Sequence, residues 1–174
     1  MNIYNIKNKN NEIKLYNKIL LLSRNKLLYT NFKLNDTFQN RINLIFFHTS
    51  FLFIKIKDKK DDNIYKDFYQ KMFDFVFKKI EENMREIGWG DVTVNKNMKH
   101  LVKTFYNILL NCEKFHKKSS SSKIIFLNKY LVPNNDIKQP NNEDLVVYFD
   151  KYQTFCVDLS IDSVLKGDLN FEYK

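Results

Sequence analysis

The scarcity of glycine and proline constrains this chain more than any other feature. Only three glycines and two prolines occur among 174 residues. Glycine supplies the positive φ that tight β-hairpin turns need, and glycine-rich loops bind phosphate, so both kinds of structure are disfavoured. Because 44% of the residues are hydrophobic and sixteen are phenylalanine, the chain has enough apolar surface to fold despite its many charges. The sequence predicts an all-α fold, a single compact multi-helix domain.

The spacing of apolar side chains places the helices. A polar N-terminal segment, residues 1–12, is predicted to precede one domain over residues 13–174. The first helix of that domain begins near residue 13. Further helices are predicted over residues 25–29, 37–57, 65–87, 94–109, 124–131 and 143–158.

Polar residues are predicted to start some helices and to connect others. Asp36, with Gln39 three residues later, fits a capping box for the 37–57 helix. Thr93 is placed to cap the helix that follows it. The run KKSSSSK and residues 132–144 are predicted to be loops, and the final residues to be extended.

A GxGD turn joins the two longest amphipathic patterns. Gly88 follows the last apolar position of the first pattern, as a C-terminal cap does. The two helices are therefore predicted to pack antiparallel around this turn. We assign Gly88, Gly90 and Asp91 a structural role in it.

The most apolar stretch, residues 44–56, is shorter than the ~20 residues that cross a bilayer and indicates a core helix. His48 interrupts it, which is usual for a histidine whose ring nitrogens are satisfied inside the fold. Two cysteines, Cys112 and Cys156, are too few for a disulfide framework and favour a reducing compartment.

Motifs for catalysis or for cofactor binding are not found. The GxG of the turn follows a helical pattern and lacks the third glycine of a dinucleotide fingerprint. Cys112 and His116 are four residues apart, but a structural metal needs about four ligands, so no metal and no cofactor are predicted. An enzyme would require Arg41, His48 and Asp91 to converge in one pocket.

Basic charge is concentrated in the first three quarters of the chain. Residues 1–130 hold 25 Lys and Arg against 12 Asp and Glu, whereas residues 131–174 hold 4 against 8. Lys96, Lys99, His100 and Lys103 follow helical spacing opposite the apolar positions and form a basic ridge. This ridge is either a solvated face or a contact for lipid phosphate, RNA or an acidic protein.

Three stretches together resemble the ubiquinol–cytochrome c chaperone family, from about residue 15 to residue 173. Residues 84–107, MREIGWGDVTVNKNMKHLVKTFYN, carry an acidic-basic helix end, the GxGD turn and a basic helix that closes in an aromatic pair. The stretch LNDTFQNRINLIFFHTSFLFI and the closing LVVYFDKYQTF and VLKGDLNFEY resemble the family's earlier and last segments.

The resemblance implies a non-enzymatic chaperone that binds newly made cytochrome b during assembly of the respiratory bc1 complex. In some lineages it implies a small helical partner and a position near the ribosomal exit. A bacterial cytoplasm with peripheral membrane association is expected, with a mitochondrial location as the alternative. The rival function is an RNA- or ribosome-binding module. The predicted client- or partner-binding residues are Arg41, His48, Arg85, Lys96, Lys99, His100, Lys103, Phe105 and Tyr106.

Overall fold

The computed structural model describes residues 3–57, 63–131 and 142–173, and within these ranges the chain is helical without a β-strand. The all-α prediction is confirmed. A 3₁₀ turn, Phe115–Lys117, lies between the fifth and sixth helices. The helices are α1 Ile3–Ser23, α2 Lys26–Thr30, α3 Phe38–Lys57, α4 Asn63–Glu86, α5 Asp91–Cys112, α6 Ser120–Tyr130, α7 Asn142–Asp158 and α8 Ile161–Leu165.

Helix α3 is the centre of the domain and contacts α1, α4, α5, α7 and α8. Most of its residues are buried, because its apolar side chains surround the helix rather than forming one stripe. The rings of Phe46 and Phe105 on α5 lie 5.3 Å apart, and those of Phe47 and Phe149 on α7 lie 5.1 Å apart. None of the described helices is long and apolar enough to cross a membrane.

The cap of α3 differs from the prediction by one residue. The Asn40 amide donates to Thr37 Oγ1 at 3.2 Å, so Thr37 caps the helix and the assignment to Asp36 was wrong. Asp36 instead accepts two hydrogen bonds from Arg41, at 2.6 and 2.8 Å. Gln39, the other half of the predicted capping box, donates to Asn43 at 3.0 Å.

Two other helix starts also differ. Helix α5 begins at Asp91 with Gly90 as its N-cap, so Thr93 lies inside the first turn and does not cap it. The serine run predicted as a loop begins α6, because Ser119 Oγ accepts a hydrogen bond from the Ser122 amide at 3.3 Å. The loop predicted over 132–144 lies mostly outside the described residues.

The C-terminal segment of the domain packs against α1. Helix α1 includes much of the polar segment predicted for residues 1–12, and the division at residue 13 stays a prediction. After α8, Gly167 has φ +70°, and a Cβ there would lie 2.8 Å from the Asn11 carbonyl oxygen. Lys14 pairs with Asp168 and Lys18 donates to Asn170 at 3.0 Å. The close approach at Gly167 therefore holds the C-terminal segment against α1, a role that sequence reasoning missed.

Candidate functional site

The turn between α4 and α5 depends on one of its two glycines. Gly88 has φ +91°, and its amide donates to the Arg85 carbonyl while the Trp89 amide donates to that of Met84, at 3.0 and 3.1 Å. This pattern ends a helix through a residue in the left-handed region, so the C-cap prediction for Gly88 is confirmed. Gly90 has φ −72°, and a Cβ there would meet no atom within 4 Å. Neither its backbone nor its surroundings require glycine.

Side chains fix the two helices about this turn. Arg85 forms ion pairs with Asp91 across the turn and with Glu81 on α4. The hydrogen bond to Asp91, and after it the one to Glu81, raises the pKa of the Arg85 guanidinium. Trp89 packs on Phe38 at the start of α3, with ring centroids 5.7 Å apart.

Aromatic contacts continue along α4 and α5 away from the turn. Phe77 contacts Phe105, with centroids 5.7 Å apart, and Phe73, one turn farther from Gly88, contacts Tyr106 at 5.8 Å. The two helices therefore run antiparallel, as predicted.

An apolar groove opens where the end of α3, the first half of α4 and the second half of α5 meet. Its volume is about 480 Å³. Tyr106 is 44% exposed and Leu110 is 60% exposed, so apolar surface is open to solvent at its α5 side. Burial raises the pKa of Tyr69 to about 12. The lining residues are Phe53, Ile56, Lys57, Tyr65, Lys66, Tyr69, Gln70, Tyr106, Leu109, Leu110 and Glu113.

The basic ridge has the predicted arrangement on α5. Lys96, Lys99, His100 and Lys103 are all exposed and line one shallow hollow together with Val92. In the described part of the chain none of the three lysines has an ion pair. Alternating steps of four and three residues from Val92 pass through the three lysines and reach Tyr106 and Leu110 on the same side of the helix. We call this surface, Val92, Lys96, Lys99, Lys103, Tyr106 and Leu110, the α5 face, and it runs directly into the groove.

Two of the predicted partner-binding residues lie in the core. His48 is 0% exposed and Phe105 is 1% exposed, so neither side chain reaches the protein surface. His48 faces α7 from the buried α3, and Phe105 fills the space between α3 and α4. Both assignments are corrected, because motif position does not distinguish a buried face of a helix from an exposed one.

His48 has the satisfied geometry that its apolar surroundings predicted. Its Nδ1 lies 2.7 Å from the Leu44 carbonyl oxygen and its Nε2 lies 2.8 Å from the Tyr148 hydroxyl. Burial lowers the pKa of the imidazole to about 4, so the ring is neutral at physiological pH. His48 is a structural residue that joins α3 to α7.

The remaining candidates are dispersed. Arg41 is engaged with Asp36 at the start of α3, while Asp91 is engaged with Arg85 at the turn. No described hydrogen bond joins Arg41, His48 and Asp91, so they do not form the catalytic pocket that an enzyme would need. Cys112 is buried in the core, and burial raises the pKa of its thiol well above the usual value. Within the described residues no group of three or more side chains is arranged to hold a metal.

Sequence reasoning found the ridge and Tyr106 but missed the groove. Its walls come from three helices, and the α5 wall is more than thirty residues away from the other two along the chain. Tyrosines such as Tyr65 and Tyr69 follow the same spacing as core residues. The only feature of the sequence that could have indicated the groove was the surplus of aromatic residues on α4.

The sequence model of the ubiquinol-cytochrome C chaperone family matches residues 30–171, which include the turn, the α5 face and the groove. A search of curated protein sequences gives no match. Among solved structures, the chain is similar to the crystal structure of the Cbp3 homolog from Brucella abortus, with a TM-score of 0.82 and 20% sequence identity. The similarity covers 98% of this chain and 93% of that chain, and at this identity it shows a shared fold.

Proposed function

We propose that this chain, which belongs to the ubiquinol-cytochrome C chaperone family, is a non-enzymatic assembly chaperone that holds newly made cytochrome b for the respiratory bc1 complex. The single observation that carries the proposal is the open apolar groove beside Tyr106 and Leu110. A helix of a membrane protein needs such a surface before it is inserted, because its apolar side chains are otherwise exposed to water.

The dimensions of the groove suit this task. A volume of about 480 Å³ falls within the range of ordinary binding pockets, and its aromatic lining resembles grooves that accept the apolar face of a helix. Full burial of one leucine or phenylalanine of a client contributes about 1.5–3 kcal/mol, so a few such side chains give a reversible complex. Lys57, which pairs with Glu113, and Lys66 also line the groove and would contact polar parts of a client.

The basic ridge of α5 is the proposed contact for a further partner. Lys96, Lys99, His100 and Lys103 would contact an anionic membrane surface or the region of the ribosomal exit. Arg41 and Arg85 would each have to give up an ion pair before binding a partner. A small helical co-chaperone is a further proposed partner, and the compartment would be the one in which cytochrome b is made, in a bacterium or a mitochondrion.

A second candidate function is favoured by the same lysines. An RNA- or ribosome-binding module would use the basic ridge without a membrane client, and its affinity would fall steeply with salt. The groove distinguishes the two functions, since RNA binding gives no reason for exposed Leu110 and an apolar cleft.

The experiment is a crosslinking pull-down of the chain from its host during synthesis of the respiratory chain, with identification of the crosslinked peptides. The chaperone function predicts enrichment of cytochrome b, with crosslinks from α4 and α5. Enrichment of ribosomal RNA without cytochrome b would favour the second function. Enrichment of neither would contradict both.

A further inference from the structure

The α5 face combines basic and apolar residues in an order that points to a particular partner. Val92 at one end is 85% exposed, and Leu110 at the other end is 60% exposed. Three lysines without described ion pairs lie between these ends. The only acidic residue of α5 is Asp91, which is held by Arg85. The face is therefore positively charged in its middle and apolar at both ends.

We infer that the α5 face is a docking surface for an anionic phospholipid bilayer, with α5 lying parallel to the membrane plane. Interfacial helices insert apolar side chains at the boundary between headgroups and acyl chains while lysines contact lipid phosphate. Val92 would insert at one end of α5, and Tyr106 and Leu110 at the other. Tyrosine is well suited to this depth, because its ring is apolar and its hydroxyl is polar.

The biological role of this orientation rests on the proposed function, to which it adds a position at the membrane surface. Because Tyr106 and Leu110 belong to both the α5 face and the groove, docking brings the opening of the groove to the bilayer surface. A client helix would then pass between groove and lipid without crossing water. The docking itself involves no client, so vesicles test it separately from the chaperone function.

The first test is flotation with vesicles of phosphatidylglycerol and phosphatidylcholine. The variant Lys96→Gln, Lys99→Gln, Lys103→Gln removes three charges from the α5 face. Each lysine near an anionic surface contributes roughly fivefold to partitioning, so binding should fall by on the order of a hundredfold. Circular dichroism on each variant checks that the exposed substitutions leave the fold intact.

A matched control removes the same charge elsewhere. Lys26, Lys33 and Lys166 are exposed on other parts of the domain, and their replacement by Gln should reduce binding far less. Equal losses for the two triple variants would overturn the inference, since they would mean attraction by net charge alone. Equal binding of the unmodified protein to pure phosphatidylcholine would overturn it as well.

The second test locates the face in the membrane. The chain has one tryptophan, and Trp89→Phe keeps an aromatic ring against Phe38. In that background, tryptophan placed at position 92 or 110 should be quenched by brominated phosphatidylglycerol, whereas tryptophan at the exposed position 125 on α6 should not. Quenching at 125 but not at 92 and 110 would overturn the docking geometry. Binding of single-stranded RNA that depends on the three lysines, without vesicle binding, would assign the face to RNA instead.

Discussion

His48 Nε2 and the Tyr148 hydroxyl lie 2.8 Å apart in the core and join α3 to α7. The Leu44 carbonyl can only accept a hydrogen bond, so Nδ1 of His48 must carry the ring proton and donate it. Nε2 then accepts from the Tyr148 O–H. The Tyr152 hydroxyl also donates to the His48 backbone carbonyl, at 3.2 Å. Burial lowers the pKa of the imidazole and so favours this neutral form of the ring.

Acid is therefore expected to destabilise the domain through His48. The pKa of the imidazole is about 4 in the folded protein, against 6.5 as its ordinary value. A depressed pKa contributes stability that is present above pH 6.5 and is lost as the pH falls toward 4. Between pH 7 and pH 4.5 the contribution should shrink by about 2–3 kcal/mol. Urea unfolding of the unmodified chain and of His48→Gln at both pH values measures it.

His48→Gln, whose side chain does not titrate, provides the control for this loss of stability. If the free energy of unfolding of His48→Gln falls as much as that of the unmodified protein, the acid sensitivity arises elsewhere. Tyr148→Phe gives a second measure, because it leaves Nε2 buried without a donor and should cost about 1–3 kcal/mol at pH 7.

The two glycines of the turn should respond differently to alanine. Gly88→Ala forces a side chain onto a left-handed residue and should lower the free energy of unfolding by roughly 1–2 kcal/mol. Gly90→Ala has an ordinary φ and open space, so it should change the free energy of unfolding by no more than about 0.5 kcal/mol, because the entropy that alanine removes from the unfolded chain offsets its poorer fit at the N-cap. Chemical denaturation of the pair measures both changes, and a large loss at Gly90 would contradict the turn geometry.

Glu12 is expected to reduce the stability of the domain at neutral pH. It is 4% exposed, and neither carboxylate oxygen has a hydrogen-bond partner among the described residues. Burial raises the pKa of Glu12 above the ordinary 4.5, because the folded protein favours the protonated acid. This preference adds to the stability at low pH, and the contribution is lost as the pH rises through the pKa of the folded state. Glu12→Met should therefore stabilise the protein by about 1–3 kcal/mol at pH 7. Thermal unfolding at pH 7 and below pH 4 tests this, since an equal gain at both would exclude the charge as its cause.

The fold was largely predictable because amphipathic spacing acts over one or two turns. It placed α4 and α5, while the continuous apolar stretch placed α3, and the glycine that ends α4 was visible from its position alone. The cap at Thr37 was not, because Asp36 is an equally good cap residue until its pairing with Arg41 is known. The lysine ridge follows from spacing on one helix, whereas the groove requires the relative placement of three helices. The burial of Phe105 depends on the same tertiary packing, whereas that of His48 was expected from the apolar stretch around it.

A substitution in the groove should abolish client binding while leaving the stability of the domain nearly unchanged. Leu110 is 60% exposed, so Leu110→Asp should change the free energy of unfolding by only about 0.5 kcal/mol while placing a charge in the apolar groove. Ile125→Asp, at a residue 71% exposed on α6, is the matched control. Capture of cytochrome b should be lost by the first variant and kept by the second.

The most direct measurement is site-specific photo-crosslinking from position 110 in cells that are making cytochrome b, with position 125 as the control. We expect position 110 to crosslink to an apolar segment of cytochrome b and position 125 to give no such product. Crosslinks to cytochrome b from position 125 alone, or none from position 110 while the protein is folded and abundant, would contradict the assignment of the groove as the client site.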